Sequence, residues 1–428
     1  MKFYSTRKKT PEVDFKTAIF QGLAPDGGLY MPRMIPQFSQ KELATAATLE
    51  DVACMVMRKW MDSDDISNDN LKPLIQEAFT FPIPLVRVGD YSILELFHGP
   101  TMAFKDIPAR MLARLFEFYL EKEKKNITIL VSTSGDTGGA IAQAFSGISR
   151  VRVVVLYPTG KVSELQEDQL TRVDENVLSI AIDGAYDDCQ SFVKHAFREP
   201  DLEKFHLTTA NSINIGRLLP QVIYYVWAYV QSREKTLRFV VPSGNMGNAT
   251  AALLAQRMGI PIASLIIATN ENDVAVQYYK TGIYQSKQSV QTLSTAMDIG
   301  NPSNFERILE LFQNNHDEFC KLITAVKVTD TETRETIKKV YGEGTYLMDF
   351  HTAVAYCAAE KLHVSGLETI IVSTASPVKF AKEMKEETGL AVDNREVLNT
   401  LRKKEKRVVN SSSDYGSIKK ILLKRLGK

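Results

Sequence analysis

The chain has 428 residues, with 52 Lys and Arg against 51 Asp and Glu, giving a formal net charge of +1. This length predicts two or three folding units with a large core. The balanced charge removes the usual electrostatic argument for a nucleic-acid-binding protein. No apolar run approaches the roughly 18 residues that a membrane-spanning helix needs. Composition and charge therefore indicate an enzyme that acts on a small molecule and binds neither nucleic acid nor membrane.

The termini and cysteines suggest a reducing compartment. The first residues lack the apolar region of a secretory signal and carry acidic residues early. The four cysteines, Cys54, Cys189, Cys320 and Cys357, are widely spaced and include no CxxC pair. We therefore expect a cytoplasmic protein without a disulfide framework.

Residues 1 to about 90 show few strand-like runs. They hold a turn-rich loop at 24–32, which contains Gly27 and Gly28. Helices are predicted after this loop at 43–60 and 71–79.

The middle of the chain alternates between two kinds of segment. Strands are predicted at 127–132, 151–157, 178–182, 238–241, 265–269 and 369–374. Helices are predicted at 107–123, 140–145, 190–197, 217–231, 249–257 and 351–362. This alternation favours βα units with mainly parallel sheets that are buried on both faces.

One short pattern occurs twice. The segments 134–138 (SGDTG) and 243–247 (SGNMG) each follow a predicted strand and precede a predicted helix. Glycine turns before a helix can direct backbone N–H groups at an anion. Because open α/β sheets bind ligands at the carboxyl ends of their strands, we expect a cleft between two domains. The alternative is two ordinary βα turns. Neither segment is a GxGxxG and no P-loop lysine follows, so dinucleotide and nucleoside-triphosphate sites are weakly supported.

Two further segments carry candidate chemistry. Lys105 is flanked by apolar residues just before a predicted helix, so it is a candidate for burial. Burial lowers the pKa of a lysine, which Schiff-base chemistry needs. Its alternative is a packed stem with a solvated head. Arg217, preceded by Ser212 and Asn214, suits capture of a phosphate or carboxylate. The alternative there is a capped helix start with Arg217 facing solvent.

Metal and hydrolase chemistry lack sequence support. The six histidines show no metal-ligand spacing, so we predict no structural zinc. No G-x-S-x-G segment is present for a hydrolase triad.

The last segment, 401–428, is basic, and its residues Ile418, Leu422 and Leu426 recur at helical spacing. This pattern favours a docked helix with a solvated basic face. A tail that binds a membrane or RNA is the alternative.

Taken together, the motifs resemble those of threonine synthases, which use pyridoxal 5'-phosphate (PLP) and belong to the tryptophan-synthase-β (fold-type II) group. The resemblance runs from about Tyr4 to Tyr415. It rests on these segments, in this order: HGPTMAFKD, STSGDTGGA, NSINIGRLLPQ, VPSGNMGNATAA, ATNENDV, STAMDIGNPSNFER, DFHTAVA and STASPVKF.

The resemblance implies an α/β fold with two doubly wound parallel-sheet domains, a PLP cleft between them and a small N-terminal domain. It divides the chain into an N-terminal domain at 1–90 and a small domain at 91–210, which carries Lys105 and the carboxylate loop. The large PLP-binding domain follows at 211–400 and a C-terminal basic helix at 401–428.

The resemblance also implies residue roles. Lys105 matches the catalytic lysine that forms the Schiff base with PLP, and Thr374 matches a hydroxyl on the pyridine nitrogen. The loop implied to hold the cofactor phosphate comprises Ser243, Gly244, Asn245, Met246, Gly247 and Asn248. The loop implied to hold the substrate's α-carboxylate comprises Ser134, Gly135, Asp136 and Thr137. The residues implied to bind the substrate's phosphate are Ser212, Asn214 and Arg217.

This chain departs from the family pattern at three positions. Met246 replaces a Phe whose contacts run largely through the backbone. Phe350 replaces a Pro, and Ser376 replaces a His. If that imidazole orients substrate or moves a proton, Ser376 changes substrate preference or rate.

The implied activity converts O-phospho-L-homoserine and water to L-threonine and phosphate, in a monomer or homodimer. The nearest alternative is a PLP-dependent phospho-lyase that releases a keto acid, ammonia and phosphate. A catalytically inactive homologue that only binds a ligand or partner is a second alternative. A nicotinamide-dependent dehydrogenase is the third, suggested by the βα pattern alone.

Overall fold

The computed structural model describes residues 1–232, 236–344 and 346–427. Over these residues the chain forms fourteen strands: β1 (Lys2–Ser5), β2 (Val13–Asp14), β3 (Tyr30–Pro32), β4 (Leu85–Val88), β5 (Tyr91–Glu95), β6 (Ile127–Ser132), β7 (Val151–Pro158), β8 (Val177–Asp183), β9 (Leu207–Thr208), β10 (Leu237–Pro242), β11 (Ile262–Thr269), β12 (Ile323–Lys327), β13 (Glu368–Ser373) and β14 (Val408–Ser412).

Twenty α-helices cover much of the remaining described chain: α1 (Phe15–Gln21), α2 (Gln40–Thr45), α3 (Leu49–Trp60), α4 (Asn68–Ala78), α5 (Asp106–Glu123), α6 (Asp136–Phe145), α7 (Glu164–Thr171), α8 (Tyr186–Ala196), α9 (Pro200–Glu203), α10 (Ile215–Leu218), α11 (Val222–Ser232), α12 (Gly247–Arg257), α13 (Val274–Thr281), α14 (Phe305–Leu311), α15 (His316–Leu322), α16 (Asp330–Gly344), α17 (Phe350–Lys361), α18 (Ala381–Thr388), α19 (Arg395–Leu401) and α20 (Tyr415–Leu426). Short 3₁₀ turns lie at Leu219–Gln221, Thr295–Met297 and Pro377–Phe380.

The larger sheet has six strands in the order β12-β11-β10-β13-β5-β4. Its neighbouring strands are parallel except β4 and β5, which form an antiparallel edge hairpin. The central strand β10 is buried along its whole length. Helices cover both faces, which explains why β10 is continuously apolar rather than alternating.

The smaller sheet has five parallel strands in the order β14-β8-β7-β6-β9. Its inner strand β6, ITILVS, is also buried throughout. The two parallel sheets confirm the predicted fold class, because β-branched runs separated by helices require crossover connections.

The N-terminal unit joins a three-stranded antiparallel sheet, in the order β2-β1-β3, to helices that pack on the larger core. Helix α3 begins after Thr48 because Thr48 and Asp51 form a reciprocal capping box. Its Trp60 is fully buried, and α3 packs against α11. The three short strands escaped prediction because each has four residues or fewer.

Each of the six predicted strands appears in the structure, with ends that differ by at most three residues. Two predicted helices are interrupted. The segment 43–60 divides between α2 and α3 because Ala46 is extended and Thr48 caps a new helix. The segment 217–231 includes a 3₁₀ turn at Pro220, which has no backbone N–H to donate.

The sheets divide the chain differently from the predicted segments. Strand β5, assigned by sequence to the small domain, pairs with β13 in the larger sheet. Strand β14 pairs with β8 in the smaller sheet, so 401–428 is not one helix. The local sequence of β5 or β14 does not indicate which sheet the strand joins, because strand partners are determined by the tertiary packing.

The C-terminal helix docks on the smaller sheet as predicted. Ile418, Leu422 and Leu426 of α20 are buried in one cluster with Leu130 and Val154 of the sheet. Across the described residues, we find no helix whose length and apolar character would let it cross a membrane.

This docking predicts a specific loss of stability. We expect Leu422→Ala to lower the free energy of unfolding by about 2–5 kcal/mol, because it leaves a cavity under α20. Lys424→Ala, an exposed change on the same helix, should stay within about 0.5 kcal/mol of the parent. Urea denaturation followed by far-UV circular dichroism measures both, and equal effects would contradict the docked helix.

Candidate active site

A cavity of about 710 Å³ lies where the strands of both sheets end. The loops after β6 and β10 and the residue after β13 line it from the two sides. All the sequence-predicted site residues line this cavity except Gly135 and Asn214. Parallel strands bring their carboxyl ends to one edge, which is why residues distant in sequence meet here.

Lys105 lies immediately before α5, and only 14% of its side chain is exposed. Its Nζ is 3.3 Å from Oδ2 of Asp136. Burial lowers the pKa of Lys105, and the cations Lys379 and Arg217 lower it further, whereas Asp136 opposes them. A lysine with a lowered pKa offers the free amine that condenses with an aldehyde.

Backbone hydrogen bonds place Lys105 opposite Thr374. The N–H of Phe104 donates to the carbonyl of Thr374 at 2.9 Å, and Tyr224 Oη donates to the carbonyl of Phe104. The N–H of Ser376 donates in turn to the carbonyl of Met102. Thr374 is the residue after β13, and it lines the cavity.

The loop before α12 forms an anion cradle. A Cβ on Gly244 would lie 2.7 Å from the Cα of Met297, so only glycine fits beneath that turn. Met246 adopts a left-handed conformation, with a φ of 60°, and α12 begins at Gly247. The helix start contributes free N–H groups and a positive dipole end.

Asn248 gives this cradle an open donor. Its Oδ1 accepts a hydrogen bond from Tyr225 Oη at 2.6 Å. Its Nδ2 is buried, and within the described chain it has no hydrogen-bond partner. A buried donor without a partner is costly unless a ligand satisfies it. The glycine cradle, this amide and the nearby buried amine of Lys105 together fit the phosphate and aldehyde of PLP.

The loop at 133–138 forms a second tight turn beside the cavity. Thr133 Oγ1 accepts the N–H groups of Gly135 and Gly138, which tightens the turn. Ser134 and Thr137 line the cavity. Gly135 instead faces Gln166, where a Cβ would meet the amide at 2.6 Å. The contribution of Gly135 is therefore the close approach of Gln166, with a φ of 134°.

Arg217 is buried and lines the cavity. Its Nη1 donates to the carbonyl of Ala210 at 2.6 Å. Its Nε is buried and has no partner in the part of the chain that the structure describes. Burial lowers the pKa of Arg217 to about 10, which still leaves it charged at neutral pH. The alternative of a solvent-facing Arg217 is wrong.

Ser212 and Asn214 have different surroundings. Ser212 lines the cavity, and its Oγ accepts the amide of Asn245 at 2.6 Å. Asn214 is fully buried, and its Nδ2 donates to the carbonyls of Ile19 and Thr209. Its Oδ1 accepts the N–H of Gly216. Asn214 therefore caps a helix and anchors the loop, which corrects its predicted role as a substrate ligand.

Arg307 braces one wall of the cavity, a role that the sequence did not predict. Its guanidinium donates to the carbonyls of Tyr30 and Ile213 and to Asn304 Oδ1. These contacts tie strand β3 to the loop that carries Ser212. Burial lowers the pKa of Arg307 to about 9. The segment NPSNFER contains it, but no local spacing distinguishes a bracing arginine from an exposed one.

His351 also lines the cavity and was not assigned a role by sequence. Its Nδ1 lies 2.5 Å from Asp349 Oδ2, and its Nε2 accepts the N–H of Ala296 at 3.1 Å. Because Nε2 accepts an N–H, the ring faces Asp349 through Nδ1 as the donor. His351 thereby holds the 3₁₀ turn that lies over Gly244.

Two of the three departures from the family pattern, Ser376 and Phe350, lie outside the lining of the cavity. Ser376 is 7% exposed, and its hydroxyl accepts the N–H of Val378 as a cap. Phe350 is fully buried and packs edge-on against Phe380. Both residues therefore act in packing and capping in this structure.

The loop with Gly27 and Gly28 borders the mouth of the cavity. Ala24 to Gly27 line the cavity, and Asp26 accepts hydrogen bonds from Gly28 and Ser5. A Cβ on Gly28 would lie 2.2 Å from Ser5 Oγ. The loop is thus anchored to β1 at its base.

Family models cover nearly the whole chain. The model described as "Pyridoxal-phosphate dependent enzyme" matches residues 84–374. Those described as "Threonine synthase N terminus" and "Threonine synthase, C-terminal" match residues 2–79 and 352–422.

Similar proteins agree with these models. The threonine synthase of Saccharomyces cerevisiae is 39% identical, with 89% of this chain and 87% of that protein covered. The PLP-bound threonine synthase of Brucella melitensis has a TM-score of 0.94 at 32% identity, with both chains covered completely. The structure from Escherichia coli has a TM-score of 0.91 at 36% identity, with 99% of this chain and 100% of that chain covered.

These similarities extend over the glycine loops, the buried lysine and the N-terminal and C-terminal units alike. This chain belongs to the threonine synthase family of PLP-dependent enzymes.

Proposed function

We propose that this chain converts O-phospho-L-homoserine and water to L-threonine and phosphate, with PLP bound covalently to Lys105. The observation that carries the proposal is the position of the buried Lys105 amine in one cavity with two anion-binding turns. One turn suits the phosphate of the cofactor and the other suits the α-carboxylate of the substrate. The buried guanidinium of Arg217 offers a third anion site, for the phosphate of the substrate.

The cofactor supplies an electron-withdrawing ring that stabilises negative charge on the carbon skeleton of the attached substrate. The loop Ser243–Asn248 would hold its phosphate through backbone N–H groups and the open amide of Asn248. Thr374 would offer the pyridine nitrogen a neutral hydroxyl. The cradle, the buried donor and the position of Thr374 after β13 support these roles.

Lys105 acts as the base once the substrate amine has replaced it. A lowered pKa leaves more of Lys105 as the free amine, which can accept a proton from Cα and then move protons at Cα and Cβ. The amine is attached to the rigid start of α5, which keeps it beside the reacting carbons.

The two ends of the substrate bind separate turns. Ser134 and Thr137, with the N–H groups of their loop, hold the α-carboxylate. Ser212 and the unpartnered Nε of Arg217 bind the phosphate and stabilise its charge as it leaves Cγ. Water then adds at Cβ.

The enclosure of the site suits this sequence of steps. The loop at 24–27 and the smaller lobe border the mouth of the cavity, so their closure excludes stray water until phosphate has left. We also propose that the enzyme works in the cytoplasm as a monomer or homodimer. All four cysteines are free thiols, which fits a reducing compartment, and one chain supplies the residues of the cavity.

The direct test incubates PLP-loaded protein with O-phospho-L-homoserine and quantifies threonine, phosphate and keto acid together. We expect threonine and phosphate in equal amounts. Phosphate with an equal amount of keto acid would instead identify a phospho-lyase and contradict the proposal.

Replacement of the reactive amine is the first matched test. Lys105→Ala should lower turnover by about a thousand-fold or more, because it removes both the covalent link and the base. The absorbance of the lysine-bound cofactor should also disappear. Lys122→Ala, an exposed change on the same helix, serves as the control. Near-normal turnover in the first variant would refute this role of Lys105.

Removal of the buried guanidinium tests the phosphate site. Arg217→Ala should raise KM for O-phospho-L-homoserine by about ten- to a hundred-fold, since a charge-assisted hydrogen bond is lost. Steady-state kinetics measure this change, and Arg33→Ala, an exposed arginine distant from the cavity lining, is the control. An unchanged KM would reject the assignment.

A further inference from the structure

Asp136 poses an electrostatic problem for the proposed function. It lies in the turn that we assign to the substrate's α-carboxylate, it lines the cavity, and it is only 5% exposed. An uncompensated carboxylate there would repel an anionic substrate, and its burial would be costly. A compensating cation is therefore needed close to it.

Lys379 is that cation. It lies in the 3₁₀ turn Pro377–Phe380 after β13, and its side chain is completely buried. Its Nζ is 2.8 Å from Asp136 Oδ1, and it also donates to the carbonyl of Thr101 at 2.8 Å and to Gln169 Oε1 at 3.3 Å. Three donors thus meet three acceptors.

The contacts of Lys379 connect the part of the molecule built on the larger sheet with the part built on the smaller sheet. Its turn continues from the larger sheet, whereas Asp136 and Gln169 belong to helices α6 and α7 beside the smaller sheet. Thr101 lies in the segment that leads to Lys105. A side chain so placed determines how the carboxylate turn faces the reactive lysine.

Asp136 lies between two lysines. Its Oδ1 faces Lys379, and its Oδ2 is 3.3 Å from Lys105 Nζ. Burial alone would raise the pKa of the Asp136 carboxyl. The charges of Lys379 and Lys105 nevertheless hold this pKa well below its usual range. Asp136 is therefore ionised. Without Lys379, the negative charge of Asp136 would stabilise the ammonium form of Lys105 more strongly.

Other charged groups surround this trio. Arg217 lowers the pKa of Lys105. The ring of His351 also lines the cavity, and its Nε2 accepts the N–H of Ala296. Asp106 lies near Lys379 and Arg217, and burial raises its pKa. Its carboxyl already accepts the N–H and hydroxyl of Thr101, at 2.8 and 2.6 Å. Lys379 is the ammonium in direct contact with the oxygen of Asp136 that faces away from Lys105.

We propose that Lys379 is a positioning residue that neutralises Asp136, so that the turn beside it accepts the substrate's carboxylate and Lys105 remains a free amine. This inference rests on the proposed function for the identity of the substrate. The effect on Lys105 concerns the protein alone and can be measured without turnover.

The first measurement uses the protein stripped of cofactor. The rate at which it combines with PLP, followed by absorbance, depends on the fraction of Lys105 present as the free amine. In Lys379→Met, Asp136 pairs with Lys105 alone and holds it as the ammonium. We expect the midpoint of the pH–rate profile to rise by about one unit or more.

Two further variants test whether the midpoint moves in the direction that the charges predict. Asp136→Asn removes the carboxylate and should lower the midpoint, because Lys379 then repels the Lys105 ammonium without opposition. Lys379→Met combined with Asp136→Asn restores neutrality and should return the midpoint toward the parent value. Lys382→Met, an exposed change just after the same turn, is the control.

The second measurement is kinetic, on the PLP-loaded proteins. Lys379→Met should raise KM for O-phospho-L-homoserine about ten-fold or more, and the double variant should recover a large part of that loss. If Lys379 only supported packing, the double variant would be no better than Lys379→Met and the pH midpoint would not move. That result overturns the inference. If Lys379→Met does not fold, Lys379→Gln takes its place, and a midpoint that stays at the parent value in that variant overturns the inference.

The wild-type reaction separates this inference from the proposed function. Absence of threonine from the wild-type protein refutes the proposed function, whatever the variants do. Threonine from the wild type, together with an unchanged midpoint and KM in Lys379→Met, refutes the role of Lys379 alone.

Discussion

The site depends on one backbone pairing, between the segments that continue from strands β5 and β13. The two strands are parallel neighbours, and their contact extends beyond the sheet through the hydrogen bonds of Leu96 with Ser373 and of Phe104 with Thr374. This extension carries Lys105 to Thr374 and delivers the turn with Lys379 to the same place. Because amide hydrogen bonds define distance and direction together, the reactive amine is held in position before any ligand arrives.

Charge is balanced locally, in and beside the cavity, rather than by solvent. The charged groups are two lysines, Lys105 and Lys379, the carboxylate of Asp136 and the guanidinium of Arg217. A low-dielectric site strengthens each of these interactions, so one compensating charge decides whether its neighbour is ionised. The donors of Arg217 and Asn248 that have no partner among the described residues indicate sites for bound anions. Two phosphates, of cofactor and substrate, fit that pattern.

The N-terminal unit takes part in the site through its backbone. Arg307 joins the carbonyl of Tyr30 to the loop that carries Ser212, and Asn214 anchors the same loop to α1 through Ile19. The turn at 24–28 then borders the cavity mouth. A buried arginine whose donors meet carbonyls is a rigid brace, since leaving any of them unpaired would be costly. The unit thus shapes one wall of the site although it carries no reactive group.

The sequence by itself determined the central strands, the glycine turns, the candidate lysine and the docked C-terminal helix. These features are local: β-branched runs, turn glycines and helical spacing each need only a few neighbouring residues. Only the tertiary structure decided that β5 and β14 exchange sheets, that Asn214 is a helix cap, and that Lys379 meets Asp136 across more than two hundred positions. The physical reason is that strand partners and buried ion pairs are set by which surfaces pack together, and a lysine destined for a buried carboxylate has the same local sequence as one destined for water.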